Sequence, residues 1–106
     1  MLPDFSDMVI GFVQKVNKMA MESYEQNVEG ESKVNEKMVN KVISLLMLSE
    51  VEKRIKDETE FKKLKILSFN NLSCIFKKKK KFGIALRNIN YAVKLEEELL
   101  KADINQ

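Results

Sequence analysis

The chain has 106 residues, with 19 Lys+Arg, 16 Asp+Glu and no His, for a formal net charge of +3. That length holds one small domain and no cleft between domains. Without His there is no Ser-His-Asp or Cys-His triad and no His-ligated zinc, and a single Cys leaves no disulfide framework or Cys-only zinc site. Hydrophobic residues make up 44% of the chain, so it can bury a core and is not compositionally disordered.

Gly and Pro punctuate regular structure, and between Glu31 and Phe82 there is neither. The expectation is an all-α single domain over residues 1–106, a four-helix antiparallel array. Two packing or capping helices fall within 1–58, a helical hairpin within 59–101, and a frayed tail over 102–106.

The first segment, about Asp4 to Asn27, carries Phe5, Met8, Val9, Phe12, Val13, Val16, Met19, Ala20 and Tyr24. This is the i, i+3, i+4, i+7 spacing of one helix face. Asp4 or Ser6 accepts the first free backbone N–H groups, and Asp7 suits the positive end of the helix dipole. Pro3 fits a helix start and Gly30 a stop, while Gly11 inside the helix predicts the close approach of a neighbour.

The second segment begins after Ser32, a candidate N-cap, with Val34, Met38, Val39, Val42, Ile43, Leu45, Leu46, Leu48, Val51 and Ile55 as its apolar residues. The stripe is wide over 42–48, which predicts a helix sandwiched between neighbours of this chain or another. The third segment, Thr59 to Lys77, carries Phe61, Leu64, Ile66, Leu67, Phe69, Leu72, Ile75 and Phe76. Only Asp57-Glu58-Thr59-Glu60 marks the break before it; the alternative is one continuous helix of over about 40 residues, which length statistics disfavour. The fourth segment, Phe82 to about Lys101, carries Phe82, Ile84, Ala85, Leu86, Ile89, Ala92, Val93, Leu95, Leu99 and Leu100.

The last two segments hold a pattern more specific than periodicity. Phe69-Asn70-Asn71-Leu72-Ser73-Cys74-Ile75-Phe76 sets an aromatic, a Leu, a small residue and a second aromatic at fixed spacing. Phe82 follows the turn, Ala85-Leu86-Arg87-Asn88-Ile89 places a small residue four before a bulky one, and Ala92 supplies a second small position. In these features residues 66–99 resemble a tetratricopeptide repeat, the 34-residue helix-turn-helix unit. The departures are Phe69 for Trp, Ser73 for Gly, Ile89 for Phe, Lys80 where a turn Gly is common and Glu97 where Pro often ends the repeat. The resemblance covers about a third of the chain, and no second repeat matches at the 34-residue offset. It implies a hairpin core of Phe69, Leu72, Ser73, Phe76, Phe82, Ala85, Ile89 and Ala92. One repeat cannot bury its own faces and about three are usually needed, so another chain is expected to complete some apolar surface.

Charge is uneven: residues 1–30 carry net −3, 31–60 net −1 and 61–106 net +7. Lys77-Lys78-Lys79-Lys80-Lys81, with Lys62, Lys63 and Lys65, forms an acid-free run over 62–81. It is a candidate for phosphate or acidic-partner binding. The alternative is a solvated turn in a Lys-rich chain, since no aromatic interleaves the run and no Arg stands in it. The resemblance also makes Asn70 and Asn71, with Arg87, candidate contacts to an extended peptide, because a carboxamide offers donor and acceptor together. Their alternative is ordinary helix-surface amides.

The remaining features read as structural. Cys74 is a core thiol and the six methionines are adaptable core fillers. Glu96-Glu97-Glu98 fan around a helix and cannot converge, and no Gly-rich phosphate loop exists. No catalytic, cofactor-binding or metal-ligating residue is assigned, and no cofactor or small-molecule substrate is expected. No stretch approaches the roughly 18–20 apolar residues of a membrane span. The residues Met1 to Asp7 hold two acids and no base, unlike a secretory or mitochondrial leader. One Cys suits a reducing compartment, so a cytoplasmic setting is expected. The expected function is a non-enzymatic protein-interaction scaffold, a small structural subunit bound to protein partners in a larger assembly. The alternative is an RNA-associated accessory protein using 62–81. The Lys, Asn and Ile bias with Asn70-Asn71-Leu72 is similar to tetratricopeptide proteins of AT-rich protists, a resemblance that implies a cytoskeletal or ciliary assembly.

Overall fold

The computed structural model describes residues 4–26 and 31–104. They form five helices: α1 (Phe5–Gln26), α2 (Glu31–Leu46), α3 (Ser49–Arg54), α4 (Glu58–Lys78) and α5 (Phe82–Ile104), with no strand among the described residues. The four long helices alternate in direction, and the six-residue α3 is an addition to the expected four. Asn71 bonds Asn17 and Lys78 reaches Tyr24, so α4 runs parallel to α1. Lys79, just past α4, pairs with Glu36 near the start of α2, so α2 runs antiparallel to α4. Ser73 with Ala85, Phe69 with Tyr91 and Lys62 with Glu98 fix α5 antiparallel to α4.

Asp4 caps α1. Its Oδ1 accepts from the Asp7 N–H at 2.9 Å and its carbonyl accepts from the Met8 N–H at 3.0 Å. Its Oδ2 accepts from the Lys56 ammonium at 2.6 Å. The Lys56 hydrogen bond, then the Asp7 N–H, hold the Asp4 carboxyl below its ordinary 3.8, and the same pair holds Lys56 above its ordinary 10.5. Ser6 is buried instead, its hydroxyl accepting from the Lys56 N–H at 3.4 Å. Pro3 and Gly30 lie outside the described residues. Gly11 faces solvent, and a Cβ there would meet nothing within 4 Å, so the expected close approach is not present. Ser32 is inside α2, which begins one residue earlier, at Glu31.

The second segment does not run on to Ile55. After Leu46 the chain turns through Met47 and Leu48, with Leu48 extended (φ −73°, ψ 127°), and restarts as α3. The reason is tertiary. In a continuous helix Val51 would point about 140° away from Leu46, and Ile55 about 180°. The turn brings all three into one core cluster with Val9, Val13, Val16, Val42, Phe61 and Leu64. Asp57 then caps α4 by accepting from the Glu60 N–H at 3.1 Å, with the Asp-x-x-Glu spacing of a capping box. The wide stripe therefore has two origins. Val39, Val42 and Leu46 are buried between α1 and α4, while Met47 and Leu48 are exposed in the turn.

A second cluster joins Ala20, Val39, Leu72, Ile75, Phe76 and Ala85, and a third joins Ile66, Phe69 and Ala92. Complete burial of a side chain such as Phe61 stabilises the fold by about 1.5–3 kcal/mol. The α4–α5 turn closes as a Schellman motif: the Lys81 N–H reaches the Phe76 carbonyl and the Lys80 N–H the Lys77 carbonyl, both at 2.9 Å. Lys80 therefore sits at φ 63°, the left-handed position that favours glycine. Lys80→Gly is expected to stabilise the chain by about 0.5–1 kcal/mol, read as a raised denaturation midpoint at unchanged slope, whereas Lys80→Ala gains nothing.

Candidate interaction site

The candidate residues of the hairpin do not form one surface. Asn70 and Asn71 are adjacent on α4 and so diverge by about 100°. Asn70 is exposed, but Asn71 is buried against α1. There its amide donates to Asn17 Oδ1 at 2.7 Å, while Asn17 Nδ2 donates to Ser68 Oγ at 2.9 Å and to the Val13 carbonyl at 3.0 Å. Ser68 Oγ completes the chain by donating to the Leu64 carbonyl at 2.9 Å. Asn71 is thus a framework residue, unavailable to a peptide. Arg87 is exposed on α5.

The lysine run divides. Lys78 Nζ donates to the Tyr24 carbonyl at 3.0 Å and lies 4.7 Å over the Tyr24 ring, and Lys79 pairs with Glu36. Both stitch the end of α4 to α1 and α2. Lys77, Lys80 and Lys81 are exposed, Lys81 with its ammonium 5.9 Å from the Phe76 ring centroid.

Of the hairpin residues, Phe69, Leu72, Ser73, Phe76, Ala85 and Ala92 are buried. Ser73 Oγ donates to the Ala85 carbonyl at 2.8 Å, a bond that a Gly at this position could not make. Phe82 and Ile89 are not core: they are 61% and 43% exposed. The cause is the rotation of α5. It lays Ala85, Asn88 and Ala92 against α4, and Phe82 and Ile89 point about 70–90° away from that row.

They belong instead to a second row, Phe82, Leu86, Ile89, Val93, Leu100 and Ile104, all exposed on α5. A similar row on α1 consists of Phe5, Met8, Phe12 and Met19, interrupted by Lys15. Met8, Met19 and Met47 are therefore surface residues, not core fillers, and Cys74 is half-buried. Two open grooves flank the end of α5. One of about 370 Å³ includes Lys63, Glu96, Leu100 and Asp103, and one of about 180 Å³ includes Met47, Phe69, Tyr91 and Leu95. Among the described residues no cluster of three His, Cys, Asp or Glu has metal-holding geometry, and no helix is long and apolar enough to cross a membrane.

Two features of this surface and its framework escaped the sequence reading, and each had a signal. Asn17 is a carboxamide inside the apolar arc of α1, one turn from Val13. The α5 row was visible as more apolar residues than one helix face can hold.

Asn71→Ala orphans the Asn17 carbonyl oxygen at a buried position and is expected to destabilise the chain by about 2–3 kcal/mol, against less than about 0.5 for Asn70→Ala. Equal losses in thermal or denaturant unfolding would contradict a framework role confined to Asn71. No family model, curated protein or solved structure matches this chain.

Proposed function

We propose that this chain is a non-enzymatic protein-interaction module, a small structural subunit of a larger assembly, with a tetratricopeptide-like hairpin in α4 and α5. The observation that carries the reading is the ordering of the open apolar side chains into rows on α1 and α5. Scattered exposed apolar residues are normal on any protein, but contiguous rows mark contact surfaces. The methionines of the α1 row suit adaptable packing against a partner. The hairpin reading is supported by the short turn and by the small residues Ser73, Ala85 and Ala92 buried between its helices. A repeat of this kind has two faces to cover; of the hairpin's two helices, α1 and α2 pack mainly against α4, which leaves much of α5 open.

A protein partner is favoured over RNA because Lys78 and Lys79 are already engaged within the chain and no Arg stands beside Lys77, Lys80 and Lys81 to fork a phosphate. A reducing, cytoplasmic compartment suits the unpaired thiol of Cys74. The cytoskeletal or ciliary setting follows from the compositional resemblance.

The test is affinity purification of the tagged chain and its Phe12→Glu variant from the native source, with and without RNase, followed by quantitative mass spectrometry. The expected outcome is a fixed, RNase-resistant set of stoichiometric proteins that falls at least about tenfold with Phe12→Glu, since a charge is expelled from an apolar contact. Phe12 is exposed, so the variant keeps the native circular dichroism and melting temperature. Loss of the partners on RNase treatment would overturn the reading in favour of RNA.

A further inference from the structure

We infer that the open row on α5 is a self-association surface, through which two copies of this chain pair by antiparallel α5 helices with Val93 facing Val93 at the two-fold axis. This rests on the interaction-module reading and names the occupant of one of its two open faces.

The row has the spacing of a helix–helix seam. Phe82, Leu86, Ile89, Val93, Leu100 and Ile104 are separated by four, three, four, seven and four residues, and they fall within about 60° of arc. Glu96 occupies the one seam position between Val93 and Leu100 that is not apolar, a polar interruption of the kind that sets register. The row is separate from the surface already used: Ala85, Asn88 and Ala92 face α4, about 100° around the helix.

The area suits a second copy. At about 100 Å² of open surface for each of the six side chains, one copy presents about 600 Å² and complete coverage in a pair buries at most about 1,200 Å², the lower end of stable specific interfaces. An isologous pair needs a self-complementary patch, and the charge on α5 is arranged that way. From Phe61 to Leu95 the chain has ten basic residues and no acid, Arg87 and Lys94 among them on α5. The end of α5 then turns acidic, with Glu96, Glu97, Glu98 and Asp103 against Lys101 alone. Antiparallel pairing about Val93 sets Leu86 against Leu100 of the second copy. It lays Glu97 beside the turn of helix that carries Arg87, and Asp103 beside Lys81, while Glu98 stays with Lys62 of its own chain. Parallel pairing would stack acid on acid and base on base.

The test uses the purified full chain. Sedimentation or light scattering is expected to give a mass rising with concentration to twice 12.3 kDa. Val93→Glu weakens the dimer by roughly a hundredfold in Kd while leaving helix content and melting of the monomer unchanged, because the side chain lies on the surface. Direction is read in a Cys74→Ser background. Chains with Leu86→Cys mixed with chains with Leu100→Cys form the mixed disulfide in preference to either symmetric one. A monomer at every concentration overturns the proposal. So does a dimer indifferent to Val93→Glu, or symmetric disulfides dominating the mixture. The α1 variant probes the heterologous partners in an extract, and the dimer is read on pure protein, so either reading can fail alone.

Discussion

The hydrogen-bond chain from Asn71 through Asn17 and Ser68 to the Leu64 carbonyl is the constraint on which the rest of the arrangement depends. A buried carboxamide is tolerated only when its polar atoms are paired, and among the described residues no buried side-chain nitrogen or oxygen lacks a partner. Apolar ridges on α1 and α4 could slide or rotate past one another at modest cost. Asn17 could not: a shift of α1 by one residue would carry it away from both Ser68 and Asn71. The network therefore sets the register and rotation of α1 against α4. With that rotation set, Val9, Val13, Val16 and Ala20 face inward, and Met8, Phe12 and Met19 must face out.

The two ends of α1 are pinned by weaker devices that agree with this register. Lys56 meets Asp4 at the start, and Lys78 meets the Tyr24 carbonyl and ring near the finish. Both are exposed, and an exposed ion pair such as Asp4–Lys56 contributes little to stability. The lowered Asp4 value means its contribution is complete above the ordinary carboxylate range and disappears as pH falls through the lowered value. The raised Lys56 value means the mirror case, complete below 10.5 and lost above it. Across neutral pH the cap is therefore constant, and the buried amides, which do not titrate, carry the register at every pH.

Helix content was legible in the sequence because Gly and Pro are absent from Glu31 to Phe82 and apolar residues recur at helical spacing. The antiparallel order of α4 and α5 suits the three residues that join them. What was not legible depends on rotation, which a linear pattern does not state. Asn70-Asn71 reads as a pair along the chain but splits between solvent and core. Phe82 and Ile89 satisfy a repeat spacing, yet they stand on the row that α4 does not touch. The break after Leu46 has no Gly or Pro to announce it, because its cause is the burial of Val51 and Ile55 against Phe61 and Leu64. The lysine run looked uniform, but position relative to Tyr24 and Glu36 separates Lys78 and Lys79 from their neighbours.

The open rows are a product of the shape. The molecule measures 43 × 38 × 21 Å, so its short dimension is only about two helix diameters. Its Cα radius of gyration, 14.5 Å, exceeds the roughly 13 Å of a compact chain this long. In so thin a slab an edge helix has one main neighbour, and for α5 it is α4. The sequence of α5 is nonetheless apolar over about twice the arc that one neighbour covers. A helix written for a solvent edge would carry charge at Leu86, Ile89 and Val93, as it does at Arg87 and Lys94. Apolar residues at those positions on a well-formed 23-residue helix are what the proposed contact surface needs, since a second copy laid on that edge would bury side chains that α4 does not reach.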